Sequence, residues 1–204
     1  MKFLQSLIFI LSISVAAYAL FIYGFLELGV AVHPAMKKNF QAHSIGIYTH
    51  IFSSMIALLL GPFQFRKSLR IKKPTVHRLI GKFYFVSVLI GSISGLYMSF
   101  YSFGGTISHY GFGTLAILWF VTGMMAYSSI IKGNAVNHFK WIFINFALTF
   151  AAVTLRTGLG IGFASGLPFE VFYPYLAWLC FACCGACLDP ANLGSALPGE
   201  SWKH

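Results

Sequence analysis

Four histidines in this 204-residue chain, His50, His77, His109 and His138, have an order that could do chemistry. His50 and His109 are 59 residues apart, and His77 and His138 are 61 apart. Each stands near the start of an apolar run. Alternating run directions put His50 with His109 at one membrane level and His77 with His138 at the other. Two imidazoles facing each other can supply both axial ligands of a haem iron, with their nitrogens roughly 4 Å apart. The arrangement therefore points to two b-type haems, one towards each membrane face.

Small residues fit that picture. Gly46 precedes His50 by four residues, while Gly81 and Gly113 follow His77 and His109 by four. Residues four apart share a helix face, so each glycine opens room for a porphyrin beside its ligand. The plainer alternative is that the histidines are interfacial hydrogen-bonders, since His77 adjoins Arg78 and His138 is close to Lys140. Glycine in membrane helices also lets backbones approach, and Gly91 and Gly95 form such a small-xxx-small face.

Arg156 lies 18 residues beyond His138, about 27 Å along a helix, and so near its opposite end. Two roles are open to it. It either snorkels or pairs with Glu27, or it clamps an anion such as a haem propionate or another acidic ligand. Cys180, Cys183, Cys184 and Cys187 form one helical stripe. Four thiolates spread over about 10 Å of a straight helix cannot close around one zinc ion, so the stripe is expected to pack. Phosphate-binding, nucleophile-elbow and zinc-protease strings are absent from the sequence.

The elements that must position these residues follow from composition. Hydrophobic residues make up 58 % and charged residues 9 %, with a mean hydropathy of +0.78. A soluble domain carries about a quarter charged residues, so an ordinary soluble globule, a disordered chain and a nucleic-acid-binding domain are excluded. The apolar runs are Leu4–Val32, Ser44–Phe65, Leu79–Phe103, Tyr110–Ile131, Trp141–Ala164 and Val171–Leu188. Each is long enough for a spanning helix, and none alternates as a barrel strand does. The first run contains a stretch resembling a leader-cleavage site at Ser14–Ala19, but its length favours a retained helix.

The net charge of +10 reads as topology. Arg66, Lys67, Arg70, Lys72, Lys73, Arg78 and Lys82 cluster around the second connection, and Lys132 and Lys140 lie in the fourth. The third and fifth connections carry no Lys or Arg. By the positive-inside rule, both basic loops and both termini belong in the cytoplasm.

Several strings carry a family resemblance. They are His50 with Gly61-Pro62-Phe63-Gln64-Phe65, then His77-Arg78 with Gly81 and Tyr84, then His138 with Trp141, and finally Ala147 through Arg156. Over about Ser44 to Gly158 the chain resembles a bacterial family of predicted multi-pass membrane proteins, the domain of unknown function 2306. The resemblance implies one module and brings no activity with it. The order of the four histidines is separately similar to that of cytochrome b561 proteins, which implies haem ligands pairing the second helix with the fourth and the third with the fifth.

The resulting expectation is an all-α integral membrane protein forming one domain over residues 1–204. It has six transmembrane helices, a central four-helix bundle of helices two to five, and helices one and six at the periphery. The expected setting is the bacterial inner membrane. The leading function is transmembrane electron transfer through haem b, with His50 and His109 on one haem, His77 and His138 on the other, and Arg156 on propionate. A quinol or another electron donor is the implied partner, besides the lipid bilayer. The alternative is a non-redox membrane protein that binds a lipid-like ligand or serves as a structural subunit.

Overall fold

The computed structural model describes residues 2–186, with side chains from 3 to 180 apart from that of residue 4. Among these residues every regular element is helical: α1 (Lys2–Phe25), α2 (Pro34–Ala42), α3 (Ser44–Gln64), α4 (Lys67–Lys72), α5 (Pro74–Ser99), α6 (Gly105–Ile131), α7 (Ala135–Ala164) and α8 (Phe169–Ala186). Lipid explains the uniformity, because a spanning segment must satisfy its N–H and C=O groups internally. Five of them, α1, α3, α5, α6 and α7, are long and apolar enough to cross a membrane. The sixth apolar run forms α8, which has 18 residues and contains Pro174.

Helix boundaries depart from the apolar runs for local reasons. α1 stops at Phe25, and the chain turns at Gly29, whose φ of +98° suits glycine alone. Pro34 then starts α2, capped by His33, whose Nδ1 accepts from the Ala35 N–H at 3.4 Å. α5 begins at Pro74 and α7 at Ala135, so His77 and His138 lie within the first turns of helices whose apolar stretch starts later.

The chain runs up and down, and aromatic contacts tie one end together. Phe65 packs its ring on Phe139 and Phe143, Arg70 lies over Phe139 at 5.5 Å, and Arg66 lies over Phe9 and Phe63. The start of α1, the end of α3, α4 and the start of α7 therefore share a basic end. α2 and the α5–α6 and α7–α8 connections make the far end.

α3 packs along α5, α5 on α6, α6 on α7 and α7 on α8, while α1 leans on α3 and α8 also touches α6. α3 and α7 meet only sparingly. Near the basic end, the Phe146 ring of α7 fills the notch left by Gly61 of α3, where a Cβ would collide with it. Nearer the far end the same two helices part around a cavity lined by both. The interior face of α5 carries His77, Gly81, Tyr84, Val88, Gly91 and Gly95 at helical spacing, and Tyr84 and Val88 on it are fully buried.

Candidate functional site

Half-way along the helices a set of polar side chains closes on itself. Tyr84 Oη donates to Asn145 Oδ1 at 2.7 Å and lies 3.0 Å from Thr149 Oγ1. Trp119 Nε1 donates to Thr149 Oγ1 at 2.9 Å, and Asn145 Nδ2 donates to the Trp119 carbonyl and to Thr122 Oγ1. All five residues are buried. An unpaired polar group at this depth would cost several kcal/mol, so the network fixes how α5, α6 and α7 pack. None of these five is ionisable at neutral pH, and so none stood out among the charged and histidine candidates.

Thr149 and Trp119 are also the floor of a cavity of about 360 Å³. Its walls come from α1, α3, α5, α6, α7 and α8, and α2 residues cover its far end. Thr149 and Phe163 both line it and stand fourteen residues apart on α7, so it extends about 21 Å along that helix. The lining is chiefly aliphatic and aromatic, with Leu58, Leu115, Leu148 and Leu155 among it. The polar exceptions include Arg156 and His50. A volume of about 300–1,000 Å³, mostly apolar with a few placed polar groups, is the usual form of a small-molecule site.

Arg156 reaches this cavity from the middle of the α7 stretch that lines it. Its Nη1 donates to the Ala152 carbonyl at 2.9 Å. Tyr18 and Tyr23 of α1 and His50 of α3 are within electrostatic reach of it. Among the described residues the carboxylates are Glu27 and Glu170, both exposed, and neither forms an ion pair with Arg156.

His50 Nδ1–H donates to the Gly91 carbonyl at 2.8 Å, and its ring sits against Gly95, where a Cβ would approach it to 2.9 Å. This bond fixes the tautomer and leaves Nε2 as an acceptor. The Gly91–Gly95 face thus admits the His50 ring, and at Gly91 also the Trp119 indole, rather than another helix backbone. His109 instead uses Nε2, donating to the Ser102 carbonyl at 3.0 Å beyond the end of α5, and it does not line the cavity. Gly91 and Ser99 alone are about 12 Å apart along α5, so the two histidines hold to different levels of it.

At the basic end, His138 Nδ1–H donates to the Ala126 carbonyl at 2.9 Å, and His77 lies within electrostatic reach of His138 and Arg70. The structure thus brings the second histidine pair to one locality. The glycines beside the histidines face protein. A Cβ at Gly46 would meet Met98 and Tyr97 at 2.9 Å, one at Gly81 would meet Gln64 Oε1 at 3.3 Å, and one at Gly113 would meet Ser99 Oγ at 3.3 Å. No group of three or more His, Cys, Asp or Glu residues suited to a metal ion occurs among the described residues.

Of the cysteine stripe, Cys180 is buried with its thiol 3.5 Å from the Ala177 carbonyl, while its own carbonyl accepts from Thr154 Oγ1 at 2.7 Å. The side chains of Cys183, Cys184 and Cys187 lie outside the described residues.

The model of a family described as "Predicted membrane protein (DUF2306)" matches residues 47–186. The match runs past Gly158 and takes in α8, consistent with the Thr154–Cys180 hydrogen bond that fastens α8 to α7. No curated protein and no solved structure matches the chain, and the similarity of histidine order to cytochrome b561 proteins therefore has no counterpart there.

Proposed function

We propose, from the premise that this chain belongs to the predicted membrane protein family DUF2306, that it binds a lipid-like molecule in the cavity between α1, α3 and α7. The observation that carries this reading is the shape and chemistry of that space. It is elongated and mostly apolar, and Arg156 and His50 stand part-way along its walls. An apolar chain would lie against the leucines, and a polar head would meet the two basic side chains. The floor at Trp119 and Thr149 is held by hydrogen bonds with Asn145 and Tyr84.

Native mass spectrometry of the protein released from membranes tests the proposal. A retained lipid mass is expected on the parent protein and is expected to be lost in Ala152→Phe, which fills the cavity beside Arg156. Equal retention by both proteins would overturn it.

A second reading is the haem one, and a specific observation favours it. His50 and His138 each donate Nδ1–H to a backbone carbonyl, the arrangement by which metal-ligating histidines are held with Nε2 presented. Against it stand the side chains of Tyr97, Met98, Gln64 and Ser99 in the glycine spaces, and the use of His109 Nε2 on Ser102. When bound, haem would supply one-electron redox chemistry, and His50 and His138 would act as ligands. A Soret band in the purified protein that is diminished in His50→Ala and in His138→Ala, each at its own end of the molecule, and lost when both are replaced would establish this reading in place of the first.

For orientation, the gathering of basic loops at one end supports placing that end in the cytoplasm of a bacterial inner membrane. With α8 as a sixth span, both termini would then be cytoplasmic.

A further inference from the structure

The Arg156 guanidinium has a chemistry that the described residues do not complete. Arginine does not lose its proton in proteins, and it offers five N–H donors in a planar fork. One donor is spent on the Ala152 carbonyl of its own helix. Arg156 is eight residues short of the end of α7, about 12 Å inside it, so it stands well within the spanning segment. A cation at such depth is held by a counter-charge or by polar partners. Its neighbours here are Tyr18, Tyr23 and His50, and the described carboxylates lie elsewhere on the surface.

The cavity beside it indicates where the missing charge comes from. Leu58, Leu115 and Leu148 line its deeper half beside Trp119, a surface for hydrocarbon. Its volume of about 360 Å³ is at the small end of ligand sites, which suits one chain and not a whole two-chain phospholipid. On the seam between α1 and α7, the lining residues Tyr18 and Phe163 are 49 % and 53 % exposed. α1 touches α7 only lightly, so this seam leads from the cavity to the bilayer.

Resting on the cavity reading above, we propose that the ligand is a single-chain anionic amphiphile drawn from the membrane, its carboxylate or phosphate head on Arg156 and its tail among Leu58, Leu115 and Leu148. A planar carboxylate or a phosphate can take two parallel N–H bonds from the guanidinium, which a hydroxyl head cannot. His50 and the tyrosines of α1 border the head group and add polar contacts.

The test is a binding titration of the delipidated full-length protein, followed by native mass spectrometry, with oleate, oleyl phosphate and oleyl alcohol. The parent should bind at least one of the two anions about tenfold or more tightly than the alcohol. Whichever anion binds more tightly identifies the head group. Arg156→Gln should lose this preference and bind all three alike, while Arg156→Lys should retain only part of it. Because the readout is a ratio within each variant, a general loss of stability does not imitate it. Equal binding of acid, phosphate and alcohol by the parent would overturn the anionic class while leaving the cavity reading in place. If Ala152→Phe bound all three as the parent does, the cavity reading itself would fall, and this inference with it.

Discussion

Tyr84 of α5 and Asn145 of α7 meet through a 2.7 Å hydrogen bond in the buried centre of the molecule, and Asn145 in turn holds the Trp119 carbonyl and the Thr122 hydroxyl of α6. Two helices that are not neighbours in the chain are thereby fixed to a third. The same network forms the floor of the cavity, so packing and site share residues.

Removing one oxygen from that network should be felt. Tyr84→Phe keeps the ring in place but leaves Asn145 Oδ1 without its tyrosine donor. A loss of about 1–2 kcal/mol is expected from the usual range for a buried bond and from cycles within membrane bundles. Unfolding measurements in detergent would show it. Tyr84→Phe and Asn145→Leu together should cost less than the sum of the two changes, and strict additivity would show that the bond contributes nothing.

Glycine positions separate into tight and free ones. Gly61→Ala should destabilise the fold by about 1–3 kcal/mol, because the added methyl collides with Phe146, itself packed against Phe65 and Phe150. Gly160→Ala meets nothing within 4 Å and should be neutral or slightly stabilising through helix propensity. Comparison of the two melting temperatures checks the contrast, and a Gly61→Ala protein as stable as the parent would contradict the close α3–α7 contact.

Much of the fold was legible because lipid permits few alternatives. The first five apolar runs became the five long helices, since a continuous apolar segment has no other way to satisfy its backbone. The short helices were less readable. α2 and α4 lie in polar connections without apolar periodicity, and α1 ends at a glycine turn inside a run that is still apolar.

The site was only partly readable, for a related reason. Arg156 stood out by charge, and its place beside an apolar interior is seen in the structure. Asn145 and Thr149 did not, although Asn145, Thr149, Ala152 and Arg156 recur at helical spacing on one face of α7. That stripe was the available signal. Neutral amides and hydroxyls carry no charge to set them apart within an apolar run. The Gly91–Gly95 pair looked like a helix-contact motif, yet it holds the His50 ring, because sequence spacing does not say which side chain fills the space a glycine leaves.

The proposed orientation makes opposite demands on the two ends. Ser68, exposed at the basic end, and Lys38, exposed at the far end, can each be replaced by Cys in a background lacking the native cysteines. In intact bacterial cells a membrane-impermeant maleimide should label Lys38→Cys and leave Ser68→Cys untouched until the membrane is opened. The reverse pattern would turn the molecule over in the membrane.

Occupancy of the cavity is open to direct mapping with a photoreactive probe. A diazirine-bearing fatty acid and the matching alcohol would be incorporated into membranes holding the protein, cross-linked by light, and their adducts located by peptide mass spectrometry. If the cavity binds lipid-like molecules, adducts should concentrate on its lining, at Met98 and along the α7 stretch from Leu148 to Phe163, and should be competed away by unlabelled oleate. Adducts confined to outward-facing side chains such as Ile93 and Leu179, undiminished by competitor, would contradict it.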